Sequence, residues 1–563
     1  MQRLLTFLIF FSSFLSLSAQ NPLLIPPTLS GTQINLTLQH GSFEFFPGIT
    51  TPTMGVNGDV LGPTLILNQG DFVQFQVDNQ LGEPTTIHWH GMHVAPENDG
   101  GPHTVIQPNE VWTPAFTVLD KAATYWYHPH LHEKTNEHVS KGIAGMIIVR
   151  DDEEAALNLP RTYGVDDFPL VIQTKDFDQA KQIVVPSNAD DVLLVNATID
   201  PVLEVPAQVV RLRLLNGSSM RVFNIGLSGN ATFYQIASDG GLLSEPLALT
   251  RLQMAPGERA EILLDLSGME GQTVSLMSYA SELPNGVYGA ENPGMMPFMS
   301  LTGYEPNPLN GTDFNILALQ VVAATDNPVT EIPTALVEVT PIPESEADLT
   351  RELTFTPASP GPNQLNGDFL INGNSFHLDV INAVIPLGNT EIWSIFNQSA
   401  IAHPFHIHDV QFYVLDRNGN PPPASEQGLK DVILIRPMET VRFITKFEDF
   451  ANEEVPYMYH CHMLYHEDKG MMGQFVVVDE SVAAEEVQST NTTLYPNPTS
   501  GEILLEGAAG AEVKLYELTG ALLLSKKTVS GQESFNLNPY PAGVYMFQVS
   551  SRGKTEMFKV VKY

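Results

Sequence analysis

Apolar and polar residues alternate along much of this chain in short runs that end at glycine, proline or asparagine. Thr64–Leu67 and Phe72–Val77 are such runs, punctuated by Gly58, Gly62, Gly70 and Gly82. A period of two puts every second side chain on one face, which predicts half-buried β-strands. The pattern returns at Val209–Leu215, Phe233–Ile236 and Ala260–Leu266, and again from Leu353 to Val478. The expected fold class is all-β.

Breaks in the pattern divide the chain. Strand signals fill residues 30–150, 165–325 and 345–479, and the Pro- and acid-rich segments Asp326–Pro333 and Pro341–Glu346 read as the connection between the second and third sets. Residues 480–493 are mostly Glu, Ser, Thr and Ala, the composition of a flexible linker. Alternation resumes over residues 494–563, at Val513–Tyr516, Phe535–Leu537 and Val544–Val549, and implies a small fourth β-domain. A length of 563 residues agrees, at roughly 100–150 residues per domain. So do 42 Gly and 42 Pro, which supply the turns.

At the N-terminus Arg3 precedes a mostly apolar run from Leu4 to Leu17, followed by Ser18 and Ala19. This predicts a signal peptide over residues 1–19. The run is shorter than the ~20 apolar residues a membrane span needs, and no later stretch replaces it. A secreted or cell-surface protein is expected.

The formal charge of −37 arises from 64 acidic against 27 basic residues. No basic cluster is dense enough to follow a phosphate backbone, so nucleic acid is not expected as a partner. The acidic surplus serves solubility and selects no substrate. Exported proteins commonly carry disulfides, yet Cys461 is the single cysteine and no internal bridge can form.

The neighbours of Cys461 give it a chemical role. Ten of the 16 histidines fall in four clusters: His88-Trp89-His90, His128-Pro129-His130, His403–His408 with His406 between, and His460-Cys461-His462 with His466. In an extended strand an H-x-H pair presents both imidazoles on one side, about 7 Å apart, which suits two neighbouring metal ions. Imidazole binds copper, zinc, iron or nickel, so spacing alone does not name the metal. Cys461 should face the opposite side from His460 and His462. Two His, one Cys thiolate and a weak axial Met form a blue-copper electron-transfer set, for which His403, His466 and Met471 are available. His40, His93, His103, His132, His138 and His377 are expected not to be ligands, with His93 and His132 the candidates for supporting roles.

These motifs, with Thr86-Ile87-His88-Trp89-His90-Gly91, Trp126–His130 and the long stretch His460–Met471, resemble the four copper motifs of three-domain multicopper oxidases over roughly residues 30–480. The resemblance implies three cupredoxin-like Greek-key domains and four copper ions. Type 1 copper would be held by His403, Cys461 and His466 with Met471 axial, and type 2 by His88 and His406. The type 3 pair would use His90, His128, His130, His408, His460 and His462. Asp99 and Glu467 resemble the carboxylates that relay protons to reduced oxygen, and the middle domain would act mainly as spacer and substrate wall.

The implied activity is laccase-like: one-electron oxidation of a phenolic or similar small-molecule reductant, coupled to reduction of dioxygen to water. A cuprous or ferrous ion oxidase is the alternative. Ser399 and Ile401 stand where the bacterial cuprous oxidases resembled here carry an Asp/Met pair, and only Met295, Met296 and Met299 form a methionine cluster. A copper-free cupredoxin scaffold would lose ligands, and all twelve positions are filled here. Leu494–Gly501, Gly543-Val544-Tyr545 and the ending Phe558–Tyr563 resemble a type A sorting domain, which implies passage through the periplasm and recognition by type IX secretion machinery.

Overall fold

The computed structural model describes residues 21–187, 189–296, 301–359, 364–479, 493–517, 522–551 and 554–563, with no side chains given for 551–557. The expected signal peptide, nearly all of the expected linker, and Met299 lie outside the described residues. The described residues up to Asp479 form one compact unit and those from Thr493 a second. The fold is nearly all strand, as the period-two pattern requires, and the three sheet pairs of the first unit are cupredoxin-like.

In the first sheet pair the order is Thr28–Ser30, Thr64–Asn68, Gly145–Arg150, Ala123–His128 and His88–His90. Its partner sheet runs Ile49–Val56, Gln33–Phe46, Phe72–Asn79 and Val111–Trp112. Inward residues from both, among them Leu36, Val73, Phe75, Trp89 and Tyr125, make one core. Such mixed parallel and antiparallel pairing comes from connections that cross between sheets.

The second pair has two six-stranded sheets, with Val209–Asn216 and Arg259–Asp265 antiparallel neighbours in one of them. Asn21–Pro22, the first described residues, pair in parallel with Pro201–Pro206 of the other, and Leu23 enters this second core. The third pair has two five-stranded sheets, one of which orders Ala383–Pro386, Met472–Val478, Asn452–Cys461, His403–Ile407 and Val432–Ile435. Phe405, Cys461 and Met471 share its core with Trp393 and Phe475.

Residues between the second and third sheet pairs run without strand, as expected of a connection, but they are held down. Val329, Ile332, Leu336 and Val337 pack against Leu159, Val209 and Leu263, so sparse apolar side chains tack this segment to the middle domain.

The second unit has a three-stranded sheet, Thr493–Tyr495, Glu502–Glu506 and Gln532–Asn536. A four-stranded sheet orders Leu522–Lys527, Glu512–Glu517, Gly543–Ser551 and Lys554–Lys562. Both close on a core around Val513, Phe535 and Phe547.

Candidate metal centre

The histidine clusters sit at strand ends that meet between the first and third domains. In the first, His128 is paired with His88 and Trp126 with His90. In the third, His460 is paired with His406 and Cys461 with Phe405. Alternation therefore puts His406 and His460 on the face toward the first domain, while Cys461 and Phe405 turn into the third-domain core. His130, His408 and His462 lie just past the strand ends. This brings the rings of His128–His130, His406–His408 and His460–His462 to 6.1, 5.0 and 5.5 Å.

Two triads result. Nδ1 of His90 lies 3.3 Å from Nε2 of His128 and 3.2 Å from Nε2 of His462. Nε2 of His130 lies 3.0 Å from Nε2 of His460 and 3.2 Å from Nε2 of His408. His88 and His406 converge beside His90, and all eight rings are buried.

The outer nitrogens explain why the inner ones converge. Nδ1 of His88, His128, His406 and His460 donates to the carbonyls of Asp99, Pro129, Asp431 and Cys461 at 2.9, 2.8, 2.8 and 3.1 Å. Nδ1 of His408 donates to Asp99 Oδ2 at 2.8 Å, and Nε2 of His90 faces Asp431 Oδ1 at 3.2 Å. A carbonyl can only accept, so the ring must donate there and its other nitrogen is a bare lone pair.

Bare lone pairs facing one another cannot hydrogen-bond. Nε2 of His88 and of His406 has no partner in the protein. Burial, and then the neighbouring rings, hold His128, His130, His406, His408 and His460 well below the usual histidine pKa. The rings are therefore neutral, the form that binds metal. A buried cluster of neutral nitrogen donors fits copper.

The second site is sulfur-centred. Cys461 Sγ lies 3.4 Å from His403 Nδ1 and 3.6 Å from His466 Nδ1. Met471 donates its N–H to the His466 carbonyl at 2.9 Å and accepts from Cys461 N–H at 3.0 Å, which holds its buried side chain in the same apolar cluster. Burial pushes the Cys461 thiol up, so ionisation here needs a cation such as a bound soft metal. Both imidazoles are covered: His466 Nε2 donates to the Leu365 carbonyl at 2.7 Å, and His403 Nε2 pairs with the Ser399 hydroxyl at 2.9 Å.

Two short helices bring in the carboxylates. Pro96–Asp99 starts at a proline and ends at Gly100 with φ 79°. A Cβ on Gly100 would lie 1.7 Å from the Ile87 carbonyl oxygen, so glycine is what lets Asp99 abut the strand His88–His90. Leu464–Asp468 carries His466 and Glu467. The Glu467 carboxylate lies 3.2 Å from His460 Nδ1 and 3.5 Å from His130 Nδ1. Its burial, and then the charge of Asp468, push its pKa well above the carboxylate range.

Among the described residues, the groups able to hold a metal ion draw on none of the six histidines expected to be non-ligands. His93 joins the first domain to the third through the Asp409 carbonyl at 2.6 Å and Asp449 Oδ2 at 3.1 Å. His132 packs on Phe376. Asp431 was not legible as a site residue, because an acid before a buried strand is no motif. The middle domain touches the third directly beside this cluster, where its Arg259 pairs with Asp431 at 2.5 Å.

Comparisons with known proteins agree with this geometry. Multicopper oxidase family profiles match residues 37–154 and 346–481, and a secretion system C-terminal sorting domain profile matches 493–563. A "multicopper oxidase mco" of Staphylococcus haemolyticus is 35% identical over 79% of this chain and 88% of its own. A "cell division protein FtsP" of Photorhabdus laumondii is 32% identical over 82% of this chain and 93% of its own. A solved laccase-like multicopper oxidase from Ochrobactrum sp., described as active on lignin model compounds, superposes with TM-score 0.72 at 34% identity, covering 81% of this chain and 100% of its own. A Campylobacter jejuni multicopper oxidase described as a metallo-oxidase superposes with TM-score 0.68 at 27% identity, over 82% and 96%. With these matches spanning the histidine clusters, the chain belongs to the multicopper oxidase family, copper-binding oxidoreductases that use dioxygen as acceptor, and carries a C-terminal secretion-sorting domain.

Proposed function

We propose that the chain couples one-electron oxidation of a phenolic or similar small reductant to four-electron reduction of dioxygen to water. The carrying observation is that Cys461, between His403 and His466, is flanked by His460 and His462, which belong to different triads. Bound copper, one ion at the Cys461 site and three among the eight outer imidazoles, would supply one-electron redox chemistry. His403, Cys461, His466 and Met471 would hold the first, His88 and His406 the type 2 ion. His90, His128 and His462, and His130, His408 and His460, would hold the type 3 pair.

The chain's own groups do the rest. The backbone on either side of Cys461 gives electrons a short covalent route to both triads. Asp99 and Glu467, buried against ligand imidazoles, hold protons at their carboxyl oxygens and pass them toward the cluster, because reduction of dioxygen to water consumes four. The fully covered His403 and His466 keep water away from the electron-accepting site.

A second reading, oxidation of cuprous or ferrous ions, rests on Met295, whose N–H donates to the Ala400 carbonyl at 2.8 Å, next to the Ser399 that caps His403. Met296 beside it is 54% exposed. Parallel rates with a phenol, cuprous ion and ferrous ion separate the two: a phenol rate far below both ions overturns the first reading. A copper-free scaffold role is disfavoured by the convergent lone pairs, and metal analysis of the purified protein tests it.

The sorting domain supports export by the type IX machinery after passage through the periplasm, with the segment 1–19 as leader.

A further inference from the structure

One turn of the middle domain reaches the imidazole cluster. Arg259, wholly buried, opens the strand Arg259–Asp265. Its guanidinium donates to both carboxylate oxygens of Asp431 at 2.5 Å, and to the carbonyls of Thr124, Gly257 and Asp239 at 3.1, 3.1 and 3.0 Å. All five N–H donors of an arginine are thereby used, in a planar fork that lysine cannot reproduce. The adjacent Lys430 is gripped by the same domain, its Nζ 2.9 Å from Asp239 and 3.0 Å from Glu258.

Asp431 spends its remaining capacity on two rings. Oδ1 lies 3.2 Å from His90 Nε2 and its carbonyl accepts from His406 Nδ1 at 2.8 Å. These contacts decide which nitrogen each ring turns inward. The same turn touches a third ring: Gly257 has φ 87°, and a Cβ there would lie 3.0 Å from Cγ of His462.

We propose that Arg259 is a positioning residue for the imidazole cluster: by fixing the Asp431 carboxylate it sets the orientation of His90, so the middle domain tunes the site of dioxygen reduction. This rests on the function proposed above. A carboxylate held by one contact could rotate and release His90. Held by the fork, it cannot, and the His90 ring keeps one tautomer and one direction. Outer partners of metal-binding histidines typically change metal affinity or activity by about 10–100-fold when removed.

The test uses copper-loaded full-length protein with Arg259→Lys and Asp431→Asn. Lysine keeps the charge that the buried Asp239 and Asp431 need, and both variants leave the backbone carbonyl that His406 uses in place, so at least one variant should fold. The expected result is unchanged blue absorption per chain and altered near-ultraviolet absorption of the type 3 pair, to which His90 is assigned. Chelators should strip copper from the cluster about 10–100-fold more readily, and kcat should fall while KM for the reductant holds. Type 3 absorption identical to wild type in both variants overturns the inference. So does a parallel loss of blue absorption, type 3 absorption and melting temperature, which is general destabilisation. A wild-type protein with blue absorption but no type 2 signal overturns the proposed cluster itself, a distinct failure.

Discussion

The sulfur of Cys461 lies 3.4 Å from Nδ1 of His403, while its chain neighbours His460 and His462 turn the other way into separate triads. Sulfur and cluster chemistry are therefore separable by one substitution. Cys461→Ser should abolish the blue absorption and steady-state turnover while three coppers per chain remain. Absorption spectra and metal analysis check this, and persistent blue colour would sink the assignment.

Glu467 lies buried, 3.2 Å from His460 Nδ1. Glu467→Gln keeps the shape and removes the transferable proton. Copper content and colour should stay near wild type, and reoxidation of the reduced enzyme by dioxygen should slow by about 10²-fold. Rapid-mixing kinetics that match wild type would remove Glu467 from proton delivery.

His93 gives a pH-dependent prediction. Burial opposes its protonation, but Asp409, then Asp120 and Asp449, outweigh burial and raise its pKa to about 9. The folded state thus holds this proton more tightly than the unfolded chain, whose histidine titrates near 6.5. The stability it confers is complete below about pH 6.5 and is lost as pH rises through about 9, with a size on the order of 3 kcal/mol. His93→Gln should lack this loss. Thermal midpoints of both proteins from pH 6 to 9.5 should converge at the alkaline end, and parallel curves would show that His93 does not join the first and third domains as a cation.

All proposed ligands precede Asp479, and the residues from Thr493 form their own compact unit. A chain ending at Asp479 should fold, bind copper and turn over at the wild-type rate, yet remain inside the native cell envelope. Cell fractionation measures this, and normal extracellular yield would refute the sorting role.

The strands and the H-x-H pairs were legible because alternation fixes both the face of a side chain and its neighbours one turn of the pleat away. What alternation cannot report is what covers that face. Arg211 and Arg213, in the strand Val209–Asn216, look like solvent-facing positions, yet both are buried and paired with Glu261, Asp167 and Glu154. Arg259 and Asp431 hid for the same reason: their pairing spans 172 positions and two domains. The segment around Val329 and Leu336 read as a linker from its prolines and acids, because a few apolar residues in extended chain suffice to anchor it.

Asn21–Pro22 finds its strand partner at Pro201–Pro206. These residues leave the ribosome long before Pro201–Pro206, so their place in a sheet does not exist until the middle domain has been made. That short strand therefore completes its pairing only with the second domain, while the sheets of the first can close on their own residues. The opening stretch must wait, unpaired, for a late arrival, and that wait is a window in which a holding chaperone would find its grip.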